Sequence, residues 1–353
     1  MTPSPYKIRV LIVDDSIVMR HLLAQTFAAD PVMEIVGFAS NGRLALEKIA
    51  TIHPDIVTLD IEMPEMNGME ALVKIHQAYP KLPVIMISSI NPRTAVTTVD
   101  ALALGASDYV IKPAEGGKEE TDKILREELI PKIKALCTHR KTPTRASLTP
   151  ALSIRDKIDI IAIGISTGGP NALTEVLSQL PAHLPVPIVI VQHMPPMFTK
   201  LLAERLSTKC PFLIKEAASG DILLPGRAWL AAGDFHMEFC RDGADVRIVL
   251  SHEPAENACR PSVDVLFRSI SKIYGAGVLA VIMTGMGNDG LRGCRQIRER
   301  GGHVIAQDEA TSVVWGMPGA VVREGLADKI LPLPQIAQEI IDRVRYGHSV
   351  LPI

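Results

Sequence analysis

Short runs of aliphatic and β-branched residues alternate with segments of helical periodicity along most of the chain. Such segments, for example Val18–Phe27 and Leu44–Ile49, carry apolar residues at helical spacing. This alternation predicts parallel strands joined by helices that cover both faces of a sheet. In the first part of the chain the predicted strands are Ile8–Val13, Glu34–Ala39, Ile56–Asp60, Pro83–Ser88 and Asp108–Ile111. In the second part they are Ile158–Ile165, Ile188–Gln192, Ala228–Ala231, Val246–Leu250, Val278–Thr284, His303–Gln307 and Lys329–Leu331.

A basic segment separates the two alternations. The charged stretch Lys118–Cys137 predicts a closing helix, and the aperiodic Thr138–Thr149 predicts an exposed linker. At 353 residues the chain can bury two cores. We therefore predict two doubly wound α/β domains, residues 1–125 and 157–349, with a helix end and linker at 126–156.

Composition excludes several classes of function. The net charge of −2 gives no basic face for nucleic acid. No apolar stretch approaches the roughly 18 residues of a membrane span, so we expect no direct membrane insertion. Five cysteines without paired spacing favour reduced thiols, and the N-terminus lacks a signal-peptide pattern. These features predict a cytoplasmic protein.

Acidic residues follow the predicted strands of the first half. Asp14, Asp15 and Asp60 lie at strand ends, which converge on one crevice in an open parallel sheet. Their mutual repulsion calls for a hard cation, and Mg²⁺ suits oxygen ligands that leave room for phosphate. Ser88 and Lys112 end two further strands. This group of residues predicts a carboxylate that accepts a phosphoryl group and a hydroxyl, that of Ser88, that responds to the phosphorylation.

Residues 7–125 resemble a response-regulator receiver domain, which implies a flavodoxin-like fold. The matching pieces are Val13-Asp14-Asp15-Ser16, Leu59-Asp60-Ile61-Glu62-Met63-Pro64, Asn67-Gly68, Ile87-Ser88-Ser89, Gly105-Ala106 and Asp108-Tyr109-Val110-Ile111-Lys112-Pro113. The resemblance implies that Asp60 is phosphorylated and that Asp14, Asp15 and Asp60 hold Mg²⁺. It implies that Ser88 and Lys112 bind the phosphoryl group, that Tyr109 moves with the switch, and that Lys112–Pro113 is a cis peptide.

A glycine-rich turn, residues 164–169, follows a buried run in the second half and enters a helix at Pro170. A serine on such a turn, here Ser166, exposes its hydroxyl beside backbone N–H groups and a helix N-terminus. His193 and Asp289 follow two other predicted strands. The three fill the roles of nucleophile, base and orienting acid. Their order is not the Ser, Asp, His order of α/β-hydrolases, and the turn is neither a dinucleotide fingerprint nor a P-loop.

Residues 155–345 resemble the catalytic domain of the chemotaxis protein-glutamate methylesterases, the CheB family, with a Rossmann-like fold. The matching pieces are Gly164-Ile165-Ser166-Thr167-Gly168-Gly169-Pro170, Gln192-His193-Met194, Pro261-Ser262-Val263-Asp264 and Met283-Thr284-Gly285-Met286-Gly287-Asn288-Asp289-Gly290. The family's nucleophile, base and acid fall on Ser166, His193 and Asp289, and the backbone N–H groups of Thr167 or Met286 are candidates for the oxyanion hole.

The resemblance also implies a reaction and its control. The expected reaction is hydrolysis of γ-glutamyl methyl esters on chemoreceptor helices, with release of methanol, together with deamidation of receptor glutamines and no cofactor for the esterase. A CheA-type histidine kinase is the expected partner. The unphosphorylated receiver is expected to cover the catalytic cleft, and phosphorylation to loosen it. An unperturbed histidine pKa near 6.5 predicts activity that falls in mild acid.

Three other interpretations compete with this one. In the first, the second half of the chain is a docking surface rather than an enzyme. In the second, it is the same enzyme, but its substrates are receptors of an array unrelated to motility. The third is a response regulator that binds DNA, which would need a helix-turn-helix, and we find no pattern for one.

The sequence predicts no metal site at its histidines. No metal-ligand spacing relates His183, His193, His236 and His252.

Overall fold

A computed structural model describes residues 7–89, 92–112, 118–138 and 157–348. The chain divides into two compact units, one that extends to Lys141 and one that begins at Thr142. Each unit contains one all-parallel sheet, which confirms the predicted fold class of two α/β domains.

Five parallel strands form the sheet of the first unit. They are β1 (Ile8–Val13), β2 (Met33–Ala39), β3 (Ile56–Asp60), β4 (Val84–Ser89) and β5 (Asp108–Lys112). Their order, β2-β1-β3-β4-β5, is the flavodoxin-like form of the doubly wound sheet. The central strands bury nearly every residue, as expected where helices cover both faces.

Four helices connect these strands. They are α1 (Ile17–Ala28), α2 (Gly42–Ile52), α3 (Gly68–Ala78) and α4 (Pro92–Ala103). The first three each begin after a polar residue, Ser16, Asn41 or Asn67, whose side chain accepts the N–H three positions later. Because Ser16 caps α1 directly after Asp14 and Asp15, these acids stay at the carboxyl edge of the sheet.

The predicted closing helix is present, with an irregular centre. It consists of α5 (Lys118–Ile124), a π-helical segment (Leu125–Leu129) and α6 (Ile130–Thr138). Leu125, Leu129 and Ile133 recur every four residues and are buried. The four-residue apolar period therefore continues through the π segment.

The described residues of the second unit form nine strands. They are β6 (Ile160–Ile165), β7 (Ile188–Gln192), β8 (Leu213–Glu216), β9 (Arg227–Leu230), β10 (His236–Asp242), β11 (Asp245–Ser251), β12 (Val278–Ile282), β13 (His303–Gln307) and β14 (Lys329–Leu331). Seven form one parallel sheet in the order β14-β13-β12-β6-β7-β9-β8. The chain runs outward from β6 to one side and returns at β12 on the other, so the topological switch point lies between β6 and β12.

The helices of this unit follow the same alternation. They are α7 (Gly169–Ser178), α8 (Phe198–Lys209), α9 (Val263–Tyr274), α10 (Leu291–Glu299), α11 (Met317–Arg323) and α12 (Leu333–His348), with a 3₁₀ turn at Gly275–Gly277. Ligand sites in doubly wound sheets lie at the carboxyl edge, beside the switch point. The residues that follow β6 and β12 are therefore the ones to examine.

One predicted strand was assigned to the wrong sheet. Val246–Leu250 lies in β11, which pairs antiparallel with β10 in a separate two-stranded hairpin. The sequence analysis also missed β8 and β10. A period-two pattern shows that a strand has one buried face, but the pattern does not identify the partner strand.

Some expectations lie outside the described residues. Most of the linker Thr138–Thr149 and the proline of the predicted cis peptide Lys112–Pro113 belong to this group. No disulfide joins the five cysteines, which all lie within the described residues. Over the part of the chain that the structure describes, no helix combines the length and apolarity needed to cross a membrane.

Candidate active site and phosphorylation site

The three predicted acids of the first unit meet at the carboxyl edge of its sheet. Carboxylate oxygens of Asp14, Asp15 and Asp60 lie within 4.8 Å of one another. Lys112, at the end of β5, places its Nζ 3.0 Å from Asp14 Oδ2 and 3.0 Å from Asp60 Oδ1. The structure thus brings together the acids and the ammonium that sequence reasoning singled out.

Burial and charge perturb the groups of this cluster. Burial raises the pKa of Asp60, Lys112 opposes the rise and Asp14 adds to it, with a resulting value of about 6. Burial lowers the pKa of Lys112, but Asp60 and Asp14 outweigh it and raise the pKa above its ordinary value. The cluster therefore carries more negative charge than its lysine neutralises. Mg²⁺ fits these residues, because their only ligand atoms are hard carboxylate oxygens.

A cavity of about 220 Å³ opens beside Asp60. Ser89 and Thr94 line it together with Asp15 and Lys112. Ser88 is buried, and its hydroxyl bonds to Thr98 Oγ1 in α4 at 3.0 Å. Ser88 Oγ accepts this bond and donates its own proton to Ser89 O at 3.2 Å, so a hydrogen bond from Ser88 to a phosphoryl group would replace the bond to Ser89.

Tyr109 lies in β5, and its side chain is buried. Lys132 Nζ in α6 lies 5.2 Å from the centre of its ring, and it donates to Tyr109 O at 2.6 Å and to Asp108 Oδ1 at 3.1 Å. The closing helix therefore covers the predicted switch aromatic.

Ser166 directly follows β6, beside the switch point. Its N–H donates to Thr284 O at 3.0 Å, and its carbonyl accepts from Gly169 N at 2.8 Å. These bonds fix the turn before α7. A Cβ at Gly169 would lie 1.8 Å from Gln192 Oε1, so only glycine allows this close approach.

Gln192 ties the turn to the neighbouring strand end. Its Nε2 donates to Ser166 O at 3.0 Å and to His193 O at 3.3 Å. The side chain is buried, and its Oε1 has no hydrogen-bond partner in the part of the chain that the structure describes. One amide group thus holds the backbones of two predicted site residues at a common edge.

His193 and Asp289 form the hydrogen bond that the sequence predicted. His193 Nε2 lies 2.8 Å from Asp289 Oδ2. The other ring nitrogen, Nδ1, lies 3.6 Å from Cys259 Sγ. Among the described residues, no hydrogen bond joins the Ser166 hydroxyl to this ring. The structure therefore brings the predicted base and acid together, and it places the predicted nucleophile, Ser166, at the end of the adjacent strand.

The carboxylate of Asp289 is surrounded by donors. Val263 N donates to Oδ2 at 2.7 Å, and Asp264 N donates to Oδ1 at 3.1 Å. These are the first N–H groups of α9, where a helix favours negative charge. Three further donors reach Oδ1: Asn257 Nδ2, Ser262 Oγ and Gly290 N. Sequence reasoning missed this arrangement, although Ser262 before an apolar helical pattern is an N-cap signal.

The two groups shift each other's ionisation. Burial raises the pKa of Asp289, but the hydrogen bond with His193 and those from Val263 and Asp264 outweigh it and lower the pKa. Burial lowers the pKa of His193, but its contacts with Asp289 and Cys259 outweigh it and raise the pKa to about 10. Each group thus favours the charged form of the other.

The two candidate oxyanion donors differ in their surroundings. Thr167 is buried, and its carbonyl accepts from Thr284 Oγ1 at 2.9 Å. Met286 is partly exposed in the loop after β12. Thr167 follows Ser166 in the chain. Met286 follows Gly285, where an added Cβ would lie 2.9 Å from Ser166 Cβ.

Comparison with known proteins assigns the two units of the chain to families. Residues 161–340 match the CheB methylesterase family, and residues 10–122 match the response regulator receiver domain. A protein-glutamate methylesterase/protein-glutamine glutaminase of Trichodesmium erythraeum (strain IMS101) is 49% identical over 96% of this chain and 99% of its own. One of Nocardioides sp. (strain ATCC BAA-499 / JS614) is 48% identical over 98% of each chain.

A solved structure shows the same relationship for the second unit. The crystal structure of the Thermotoga maritima CheB methylesterase catalytic domain is 42% identical, with a TM-score of 0.52, and covers 53% of this chain and 98% of that one. The chain therefore belongs to the CheB methylesterase family, as an enzyme that carries a response regulator receiver domain in front of its methylesterase domain.

Proposed function

We propose that this enzyme hydrolyses γ-glutamyl methyl esters on the cytoplasmic helices of chemoreceptors, releases methanol, and deamidates receptor glutamines to glutamate. The observation that carries the proposal is the His193–Asp289 pair beside the Ser166 turn, at the switch point of the second sheet. The names of the relatives support the substrate, since they are protein-glutamate methylesterases and protein-glutamine glutaminases.

Ser166 is the nucleophile of this mechanism, and His193 is its base. With Nε2 donating to Asp289, the lone pair of the neutral imidazole is on Nδ1. Nδ1 takes the proton of the Ser166 hydroxyl as Oγ attacks the glutamyl carbonyl carbon. Asp289 holds the ring orientation and stabilises the imidazolium that forms. The Ser166–Nδ1 bond forms only with substrate present, as is common for catalytic hydrogen bonds.

The tetrahedral intermediate collapses when the imidazolium protonates the leaving group. Methanol leaves from an ester and ammonia from an amide, and Ser166 becomes acylated. Water then attacks the acyl-enzyme, gives its proton to Nδ1 and releases the glutamate carboxylate. The N–H groups of Thr167 and Met286 are the proposed donors to the oxyanion, and one such donor is commonly worth about 3 kcal/mol.

The receiver controls this reaction through Asp60. An Asp60 oxygen attacks the phosphorus of a phosphohistidine on a CheA-type kinase, and the kinase nitrogen keeps the electrons of the broken N–P bond. Asp14, Asp15 and Asp60 would hold Mg²⁺, which neutralises charge on the transferring phosphoryl group. Lys112 then pairs with the phosphoryl oxygens, and Ser88 and Tyr109 carry the switch.

Control of one unit by the other completes the proposal. The receiver, residues 1–125, inhibits the catalytic domain, residues 157–349, until Asp60 is phosphorylated, and the segment 126–156 connects them. The enzyme acts in the cytoplasm, where the kinase and the receptor helices are located.

The test is methanol release from methylated chemoreceptor membranes, with and without a small phosphodonor and Mg²⁺. We expect release that rises with phosphodonor, disappears in Ser166→Ala and loses its stimulation in Asp60→Asn. The two variants separate the enzyme from its switch, because each removes one of them.

Other results would reject parts of the proposal. No release from the wild type, even with phosphodonor, would favour the docking interpretation or another client. Full release from Ser166→Ala would reject the nucleophile, and unchanged stimulation of Asp60→Asn would reject the phosphoacceptor.

A further inference from the structure

A thiol lies against the nitrogen of His193 that the proposed mechanism uses. Cys259 Sγ is 3.6 Å from Nδ1, whereas Asp289 Oδ2 bonds to the other ring nitrogen, Nε2. His193, Cys259 and Asp289 offer ligand atoms that all lie within 4.8 Å of one another. Both the thiol and the ring are partly exposed, so a solute can reach them.

The separation of nitrogen and sulfur fits a tetrahedral metal ion. A Zn–S bond of about 2.3 Å and a Zn–N bond of about 2.0–2.1 Å place the two ligands about 3.5 Å apart at a tetrahedral angle. The observed 3.6 Å matches this separation. Asp289 already accepts from the opposite ring nitrogen, and this is how a carboxylate orients a metal-bound histidine.

Asp289 itself is a poor ligand for the same ion. Its two oxygens already accept from Val263 N, Asp264 N, Gly290 N, Asn257 Nδ2 and Ser262 Oγ. Coordination would break some of these bonds inside a buried cluster. The protein ligands are therefore His193 and Cys259, with water in the remaining positions.

Hydrogen bonds order the loop that carries Cys259. Glu256 and Cys259 exchange two backbone hydrogen bonds, of 3.2 and 3.0 Å, around Asn257 and Ala258, which both have positive φ. Asn257 Nδ2 donates to Asp289 Oδ1, and Arg268 binds both carboxylate oxygens of Glu256. These bonds thus hold the Cys259 thiol beside the His193–Asp289 pair.

We propose that His193 Nδ1 and Cys259 Sγ form a binding site for a thiophilic divalent cation, Zn²⁺ in the first instance, and that its binding inhibits the esterase. The ion occupies the lone pair that takes the proton of Ser166, so the inhibition rests on the proposed function of His193. The carboxylate cluster of the receiver selects a hard cation, whereas this pair selects a soft one. Mg²⁺ therefore does not inhibit.

The first test is binding, which needs no activity. Co²⁺ is titrated into the full-length, reduced protein, and the thiolate-to-cobalt charge-transfer absorption is recorded, with Zn²⁺ as competitor. We expect a band in the wild type that Zn²⁺ abolishes. In Cys259→Ser the cobalt affinity should fall by at least about tenfold, the loss typical even of an outer-sphere partner.

Cys240→Ser is the matched control, because Cys240 is the exposed cysteine of β10. It should retain the band. A band that persists in Cys259→Ser, or that disappears in Cys240→Ser, would overturn the site.

The second test is methanol release with and without Zn²⁺, in the presence of Mg²⁺. Each protein is compared with its own rate in a chelator. Zn²⁺ that inhibits the wild type and spares Cys259→Ser supports the proposal, and equal inhibition of both contradicts it. A wild type without any esterase activity would refute the proposed function alone, since the cobalt titration still decides the site.

Discussion

Asp60 and Asp289 occupy equivalent places in two sheets but have opposite surroundings. Each carboxylate is buried at the carboxyl edge of a parallel sheet, after a central strand. Asp60 has Asp14 as a near neighbour and Lys112 as its cation, and its pKa is raised to about 6. Asp289 accepts from five groups besides His193, and its pKa is lowered.

The comparison shows that surrounding donors, rather than the position at a strand end, decide whether the pKa of a buried aspartate is raised or lowered. A carboxylate short of donors attracts a cation or a phosphoryl group. A carboxylate saturated with donors stays ionised and holds a neighbouring ring. The following predictions test this contrast, from the largest expected effect to the smallest.

Asp289→Asn should lower kcat for methanol release by about 10⁴-fold. If the new NH₂ replaces Oδ2, it faces Val263 N, and Nε2 of His193 loses its acceptor. If it replaces Oδ1, it faces four N–H or O–H donors, and the remaining carbonyl oxygen lacks the charge that stabilises an imidazolium. The measurement is kcat with methylated receptors. Asp328→Asn is the control, because Asp328 pairs with His303 at the opposite edge of the sheet. An equal loss in both variants would indicate misfolding instead.

The pH dependence of the esterase activity tests the effect of Asp289 on its partner, His193. Because the pKa of His193 is raised to about 10, the neutral base grows with pH, and kcat/KM should rise about tenfold per pH unit above neutrality. This moves the fall in activity to higher pH than the sequence analysis expected from an unperturbed histidine. A plateau between pH 7 and 9 would contradict the shift.

Lys112→Ala tests the carboxylate that lacks donors. Removal of the ammonium leaves Asp14 and Asp60 without their bonded cation, so Mg²⁺ should bind at least about tenfold more tightly. Calorimetric titration of Mg²⁺ gives the affinity, and Lys112→Arg, which keeps the charge, should resemble the wild type. Weaker binding in Lys112→Ala would mean that the lysine shapes the site rather than competing for it.

Gln192→Met should have the smallest effect, a loss of about fivefold in kcat with KM unchanged, since two neutral hydrogen bonds are removed. Methionine keeps the length of the side chain. The control Gln179→Met removes an exposed bond to Glu175 O and should leave the rate unaltered. A change in KM alone would assign Gln192 to substrate binding.

Parts of the fold follow directly from local pattern. Strands β1, β3, β7, β12 and β13 begin where the aliphatic runs predicted, because buried parallel strands are continuous apolar runs. The edge strand β8 is short and has an exposed Leu213, so it carries no such signal. The pairing of β10 with β11 was equally invisible, because it depends on which strand is near in space.

The candidate site divides in the same way. The sequence identified Ser166, His193 and Asp289 because each follows a predicted strand, and strand ends share an edge. It could not find Cys259 or Asn257, which belong to a turn far along the chain from all three. Their roles arise only where that turn folds over the imidazole.

The sequence by itself determined which residues reach the two sheet edges, because the apolar period and the helix caps are local properties. Only the tertiary structure decided how the acidic and basic groups at each sheet edge ionise. It brought the N-terminus of α9 and the turn of Cys259 to Asp289 and His193, and it left Asp60 with an acid and a lysine. The physical reason is that ionisation depends on burial and on donors from distant segments, which no local pattern records.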